Sequence, residues 1–134
     1  MQRFSLSDMK IDKIMTKDLI TIHPENTVEE AVKKMVERDV ECLPVISNEQ
    51  VLLGLITFRD VVTKFLYQSA GKKDMKVAEI MSKNVTTCTP DCSVLDVAKI
   101  MKNKYRRRIP IVNSDGVLIG LVTNSDLALL GWNL

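Results

Sequence analysis

A chain of 134 residues, 46% apolar and 27% charged with only five Gly and four Pro, has the composition of an ordered globular protein rather than a disordered or fibrous one. Nineteen Lys and Arg against seventeen Asp and Glu leave a formal charge of +2, too balanced to argue alone for nucleic acid or an anionic membrane. A domain near this length hides roughly two thirds of its unfolded surface, so folding requires neither disulfides nor a metal.

Residues 1–5 carry no apolar signal region, and runs such as Val51-Leu52-Leu53 and Val117-Leu118-Ile119 are far too short to span a bilayer. Three Cys, an odd number, beside seven Met suit thiols in a reducing compartment, so a cytoplasmic location without membrane contact is expected. Residues 7–15 read as a leading helix, followed by an extended piece over 19–22. Thr27 with Glu30 three positions on makes a capping box, and Val28, Ala31, Val32, Met35 and Val36 form the apolar stripe of the helix it starts. Leu43-Pro44-Val45-Ile46 and residues 51–57 read as strands around a polar turn, with a second helix over 58–67. Small and polar residues 68–74 read as a linker.

The same order then returns. Sliding the chain by 66 positions aligns residues 14–62 with 80–128 without a gap and matches fifteen of forty-nine positions, where chance would give roughly three. Ser93 and Asp96 form the second capping box, Val94, Val97, Ala98 and Met101 the second stripe, and residues 109–112, 117–123 and 124–130 the later strands and helix. Turn chemistry is better in this copy, where Asp115-Gly116 supplies a positive φ. One copy alone would leave its apolar face bare, so the two must pack together.

Thr57-x-x-Asp60 and Thr123-x-x-Asp126 stand where each last strand enters its helix. There a hydroxyl meets unpaired backbone N–H groups, and a carboxylate one turn on can accept from a sugar diol. The same pair is also an ordinary helix cap that needs no ligand. Gly54 and Gly120, in the strands before, allow close backbone approach.

The order Ile-Met-Thr-Lys, Thr-Ile-His-Pro, Val-x-x-Ala-Val-x-x-Met, Leu-Pro-Val-Ile, then Leu-Gly-Leu-Ile-Thr-Phe-Arg-Asp-Val-Val resembles a cystathionine β-synthase (CBS) domain. Residues 79–82 through Gly120-Leu121-Val122-Thr123-Asn124-Ser125-Asp126-Leu127 resemble a second, so nearly the whole chain looks like a tandem pair, or Bateman module. The resemblance implies an α+β, sandwich-like fold of two pseudo-twofold-related β-α-β-β-α repeats, over residues 8–67 and 76–134 with 68–75 between. It implies a regulatory module that binds AMP, ADP, ATP, S-adenosylmethionine or NAD(H) in clefts between the repeats, with each Asp on ribose hydroxyls. Carried over by position, one cleft joins Thr57, Arg59 and Asp60 to Ser82, Thr87, Cys88, Arg107, Arg108 and Ile109. The other joins Thr123, Ser125 and Asp126 to Thr16, Thr21, Ile22, Glu41, Cys42 and Leu43.

Arg59 and the run Arg106-Arg107-Arg108 favour phosphate in the first cleft, since charge-assisted Arg–phosphate bonds contribute roughly 1.5–3 kcal/mol each. In the second, Glu41 stands where the first has Arg107, and Ser125 where it has Arg59, which disfavours a triphosphate and suits a neutral or cationic adenosyl ligand. Cys42, Cys88, Cys92 and His23 would total a zinc set, but only Cys88-x3-Cys92 is a close pair, so no metal is expected. One His and no Walker-type loop leave no assembled active site. The chain therefore reads as a stand-alone sensor, not an enzyme, without a catalytic cofactor, acting on a regulated protein partner. Apolar excess in the second helices, Phe58, Val61, Val62, Phe65 and Leu66, then Leu127, Leu129, Leu130 and Trp132, suits the homodimer through these helices that the resemblance implies. The rival readings are a nucleic-acid-binding module using Lys102, Lys104 and Arg106 to Arg108, and a ligand-free dimerisation unit.

Overall fold

The computed structural model describes residues 7–130. These divide into two compact units, Ile20–Val85 and, discontinuous in sequence, 7–19 with 86–130. Each unit is α+β and has its own buried apolar cluster, centred on Val28, Leu43, Val45 and Ile56 in the first and on Val94, Ile109, Ile111 and Val122 in the second.

In the unit Ile20–Val85, helix α1 (Val28–Arg38) begins at a complete capping box in which Thr27 Oγ1 accepts from Glu30 N at 3.1 Å and Glu30 Oε1 from Thr27 N at 3.3 Å. It ends where Asp39 turns left-handed at φ 54°. Val28, Ala31 and Met35 are buried, but Val36 is 72% exposed. Eight helical positions advance about 800°, which carries Val36 some 80° past the direction of Val28 and off the buried face. Strands β1 (Cys42–Ile46) and β2 (Leu52–Thr57) pair antiparallel, Cys42 opposite Thr57 and Leu43 opposite Ile56. β2 leads directly into α2 (Phe58–Asp60), which widens into a π-helix over Val61–Tyr67.

Two local bonds accompany the widening. Thr63 Oγ1 donates to the Arg59 carbonyl at 2.8 Å, and Gln68 N reaches back five residues to Thr63 O at 3.0 Å. A hydroxyl bonded to the preceding turn competes with the backbone ladder. The corresponding position in the second repeat is Leu129, which has no hydroxyl.

Residues 68–76 are held by the unit. Gly71 N donates to Phe65 O, Val28 N donates to Met75 O, and the Met75 side chain lies in the core. A one-turn helix, α3 (Val77–Ile80), follows and buries Val77 and Ile80.

The other unit repeats the plan with α4 (Val94–Lys104), β3 (Arg108–Val112), β4 (Leu118–Thr123) and α5 (Asn124–Ala128). Residues 7–15 form no full helix. They hold one 3-10 turn, Ile11–Lys13, because Ile11 N donates to Cys92 O at 2.7 Å and Val94 N to Met9 O at 2.8 Å, so this stretch spends its backbone bonds on the start of α4. The two hairpin turns share one shape. Gly116 has φ 80° and Gln50, its counterpart, φ 70°, so the first copy places a side chain in the left-handed region that glycine enters freely.

In each unit the outer edge of the last strand is closed by a short bridge. Leu55 and Ser82 exchange both backbone bonds, at 3.0 and 2.8 Å, and Leu121 and Thr16 do the same at 3.0 and 2.9 Å. A Cβ on Gly54 would lie 2.6 Å from Ser82 O, whereas one on Gly120 would meet the Met15 side chain. Backbone cannot yield as a flexible side chain can. Gly54→Ala is therefore expected to cost ~1–3 kcal/mol by overpacking, and Gly120→Ala clearly less, as read from urea unfolding midpoints at constant slope. Equal costs would show that the Ser82 bridge shifts freely.

Candidate functional site

The strand-to-helix junctions predicted from Thr57-x-x-Asp60 and Thr123-x-x-Asp126 are built in both units. Thr57 Oγ1 accepts from Asp60 N at 3.1 Å, while Asp60 Oδ2 accepts from Thr57 N at 2.9 Å and from Thr57 Oγ1 at 3.0 Å. Thr123 and Asp126 repeat the capping box, at 2.8 Å for Thr123 N to Asp126 Oδ2 and 3.3 Å for Asp126 N to Thr123 Oγ1. Satisfying these helix-start donors contributes ~1 kcal/mol per cap, so both residues are structural whatever else they do.

The two junctions are not equivalent. Asp60 is buried and its Oδ1 pairs with Lys64 Nζ at 3.2 Å, while Lys64 Nζ also donates to Ile80 O at 3.0 Å. Asp126 is half-buried, and the position matching Lys64 is Leu130. Lys64 was not singled out from sequence. Its spacing of four residues from Asp60 was the available signal.

Around the first junction the sheet gathers further residues that the resemblance carries over. Cys42 stands opposite Thr57, Leu43 opposite Ile56, and Glu41 O accepts from Phe58 N at 2.8 Å. Ile22 bridges Val45 in parallel, and Thr21 precedes it. Ser82 is bonded to Leu55, two residues before Thr57, and Arg59 is exposed on α2. In the other unit Arg108 stands opposite Thr123, Ile109 opposite Val122, and Arg107 O accepts from Asn124 N at 2.9 Å. Cys88 bridges Ile111 with Thr87 before it, Thr16 is bonded to Leu121, and Ser125 is exposed on α5. Thus Thr57, Arg59, Asp60 and Ser82 share one unit with Thr21, Ile22, Glu41, Cys42 and Leu43, while Thr123, Ser125, Asp126 and Thr16 share the other with Thr87, Cys88, Arg107, Arg108 and Ile109. A surface hollow lined by His23, Glu25, Asn26, Ser47, Asn48 and Glu49 lies in the first unit and takes none of these residues. Among the described residues no three His, Cys, Asp or Glu gather as a metal set, and no helix is long and apolar enough to cross a membrane.

A protein-family model for the CBS domain matches residues 11–67 and again 77–131. The chain belongs to the CBS domain family. This CBS pair is 36% identical over 121 residues to an uncharacterized 17.7 kDa protein of Acidianus ambivalens, covering 89% of this chain and 71% of that one. It is 35% identical over 118 residues to inosine-5'-monophosphate dehydrogenase of Methanocaldococcus jannaschii, covering 88% of this chain and 23% of the enzyme. The chain spans about a quarter of the length of the first curated relatives it matches, at 23%, 25% and 24%. Among solved structures, the CBS domain pair of protein MJ0100, in complex with 5'-methylthioadenosine and S-adenosyl-L-methionine, superposes with a TM-score of 0.82 at 31% identity, over 92% of this chain and 100% of that one.

Cys88, beside the CBS strand β3, is buried. Burial pushes its thiol from 9.0 up to about 12, and the hydrogen bond and charge of Cys92, with Asp96, push the same way. The folded state thus holds this proton more tightly than the unfolded chain, so the stability it contributes is complete below pH 9 and is lost as pH rises toward 12. Thermal unfolding is expected to show a fall in Tm above pH 9 that is shallower in Cys88→Ala. Parallel alkaline limbs would place the titrating group elsewhere.

Proposed function

We propose that this CBS pair is a non-enzymatic sensor of adenosyl ligands that changes the behaviour of a protein partner. The observation that supports the reading best is the repeated junction itself. In both units a Thr–Asp capping box stands at the end of a strand whose outer edge is bonded by a chain segment from outside its own repeat, Ser82 at Leu55 and Thr16 at Leu121. The likeness to the MJ0100 pair, solved with two adenosyl ligands, supports the ligand class.

Asp60 and Asp126 are the proposed ribose contacts. Arg59, Arg107 and Arg108 are the proposed phosphate contacts, which suits AMP, ADP or ATP, with NAD(H) in the same chemical class. Glu41 and Ser125 are proposed to suit an uncharged or cationic adenosyl group such as S-adenosylmethionine. The remaining residues carried over, Ser82, Thr87, Cys88, Ile109, Thr16, Thr21, Ile22, Cys42 and Leu43, are proposed to supply backbone and apolar contacts. The ligand can act only through different affinity for two states of the chain or of its complex. An odd number of cysteines beside seven Met supports a reducing, cytoplasmic setting.

Calorimetric titration of the protein with AMP, ATP and S-adenosylmethionine tests this, beside Asp60→Ala and Asp126→Ala. Micromolar binding, about −8 kcal/mol, is expected, with nucleotide binding lost in Asp60→Ala and kept in Asp126→Ala. Absence of binding by every adenosyl compound would leave both aspartates as helix caps only.

A homodimer completes the proposal. Val61, Phe65 and Leu127 are buried, but Phe58, Val62 and Leu66 are 52%, 42% and 54% exposed, and Leu129 and Leu130 are exposed too. Trp132 lies outside the described residues. An apolar row of this size on one helix suits a second copy of the chain. Sedimentation velocity is expected to show a dimer that Val62→Glu converts to monomer; an unchanged distribution would remove these helices from any self-association.

A further inference from the structure

Asp60 and Asp126 hold matching places in the two repeats, but their carboxylates have different room for a ligand. An ionised carboxylate offers about four lone-pair sites. At Asp60, Oδ2 accepts from both N and Oγ1 of Thr57, and Oδ1 is paired with Lys64 Nζ at 3.2 Å. Room for about one more donor remains. At Asp126, Oδ2 accepts from Thr123 N at 2.8 Å, and among the described residues Oδ1 meets no donor. Both hydroxyls of a vicinal diol can be taken there.

Lys64 is firmly placed. Its Nζ donates to Ile80 O at 3.0 Å as well as pairing with Asp60, and its carbonyl accepts from Ser69 Oγ at 2.8 Å. The ammonium covers a carboxylate whose side chain is only 11% exposed, while its own is 38% exposed. Removing a charge from water this far disfavours it unless it is paired, so Lys64 neutralises Asp60 where Leu130 cannot neutralise Asp126.

Building on the adenosyl-ligand reading, the geometry points to Lys64 as a specificity-determining residue. It occupies the outer oxygen of Asp60, so that this half takes one ribose hydroxyl, tolerates a 2'-deoxyribose and depends on phosphate. The Asp126 half requires the intact diol.

The test compares AMP with 2'-deoxy-AMP by calorimetry in an Asp126→Ala background, so that only Asp60-dependent binding is read. With Lys64 present the two affinities are expected to agree within about threefold. In Lys64→Met the preference for AMP should rise to about tenfold or more, as a second hydroxyl gains an acceptor, and Lys64→Arg should restore the small ratio. The reciprocal variant guards against misfolding. In an Asp60→Ala background, Leu130→Lys places an ammonium four residues after Asp126 and should shrink the preference for adenosine over 2'-deoxyadenosine from about tenfold or more to about threefold. AMP binding with the same ratio in Lys64→Met and wild-type Lys64 would overturn the role of Lys64 while leaving the sensor reading intact. No binding of any adenosyl compound to the wild-type chain would overturn the sensor reading and this inference with it.

Discussion

Closure of an exposed strand edge is the constraint on which each unit depends. A two-stranded hairpin is marginal in water and presents a row of unpaired donors and acceptors along its outer side. Here β2 is closed by Ser82 and β4 by Thr16, each exchanging two backbone bonds of 2.8–3.0 Å with a leucine. The inner strands are met in turn by Ile22 at Val45 and Cys88 at Ile111. Each sheet core thus becomes four strands wide for a short distance. Gly54 exists at this spot because any side chain would strike the Ser82 carbonyl.

That closure has a consequence for chain organisation. Thr16 lies at the head of the first repeat, yet it bonds β4 of the second, and Ser82, at the head of the second, bonds β2 of the first. The compact units are therefore displaced from the sequence repeats. Residues 7–19 fold with the second copy, and residues up to Val85 stay with the first. Each strand carrying a Thr-x-x-Asp junction thus has its outer edge closed by the other repeat's leading segment.

The capping boxes show how one local motif serves two ends. Thr57–Asp60 and Thr123–Asp126 satisfy helix-start donors, which any chain needs. The difference lies in what surrounds the second carboxylate oxygen. Lys64 closes it in one copy, on a π-helix, and Leu130 leaves it open in the other. The two copies thus differ in charge at this oxygen while sharing the same capped junction.

The fold was legible in considerable detail because its signals are local. Both four-residue capping boxes, the apolar stripes of α1 and α4, the paired strands and the 66-residue repeat can be read from neighbouring residues and periodicity alone. What escaped depends on contacts distant in the chain or on competition within a turn. Residues 7–15 look helical but give their backbone bonds to Cys92 and Val94. Met75, at the end of the stretch 68–75 between the repeats, is drawn into a core. The π-helix over Val61–Tyr67 is likewise not foreseen by propensity. By itself, then, the sequence determined the repeated unit, its element order and the chemistry available at each junction, since these follow from residue type at short spacing. Only the tertiary structure decided which segment closes which sheet edge and which carboxylate oxygen is already taken, because both are settled by backbone and side-chain atoms brought together from different parts of the chain.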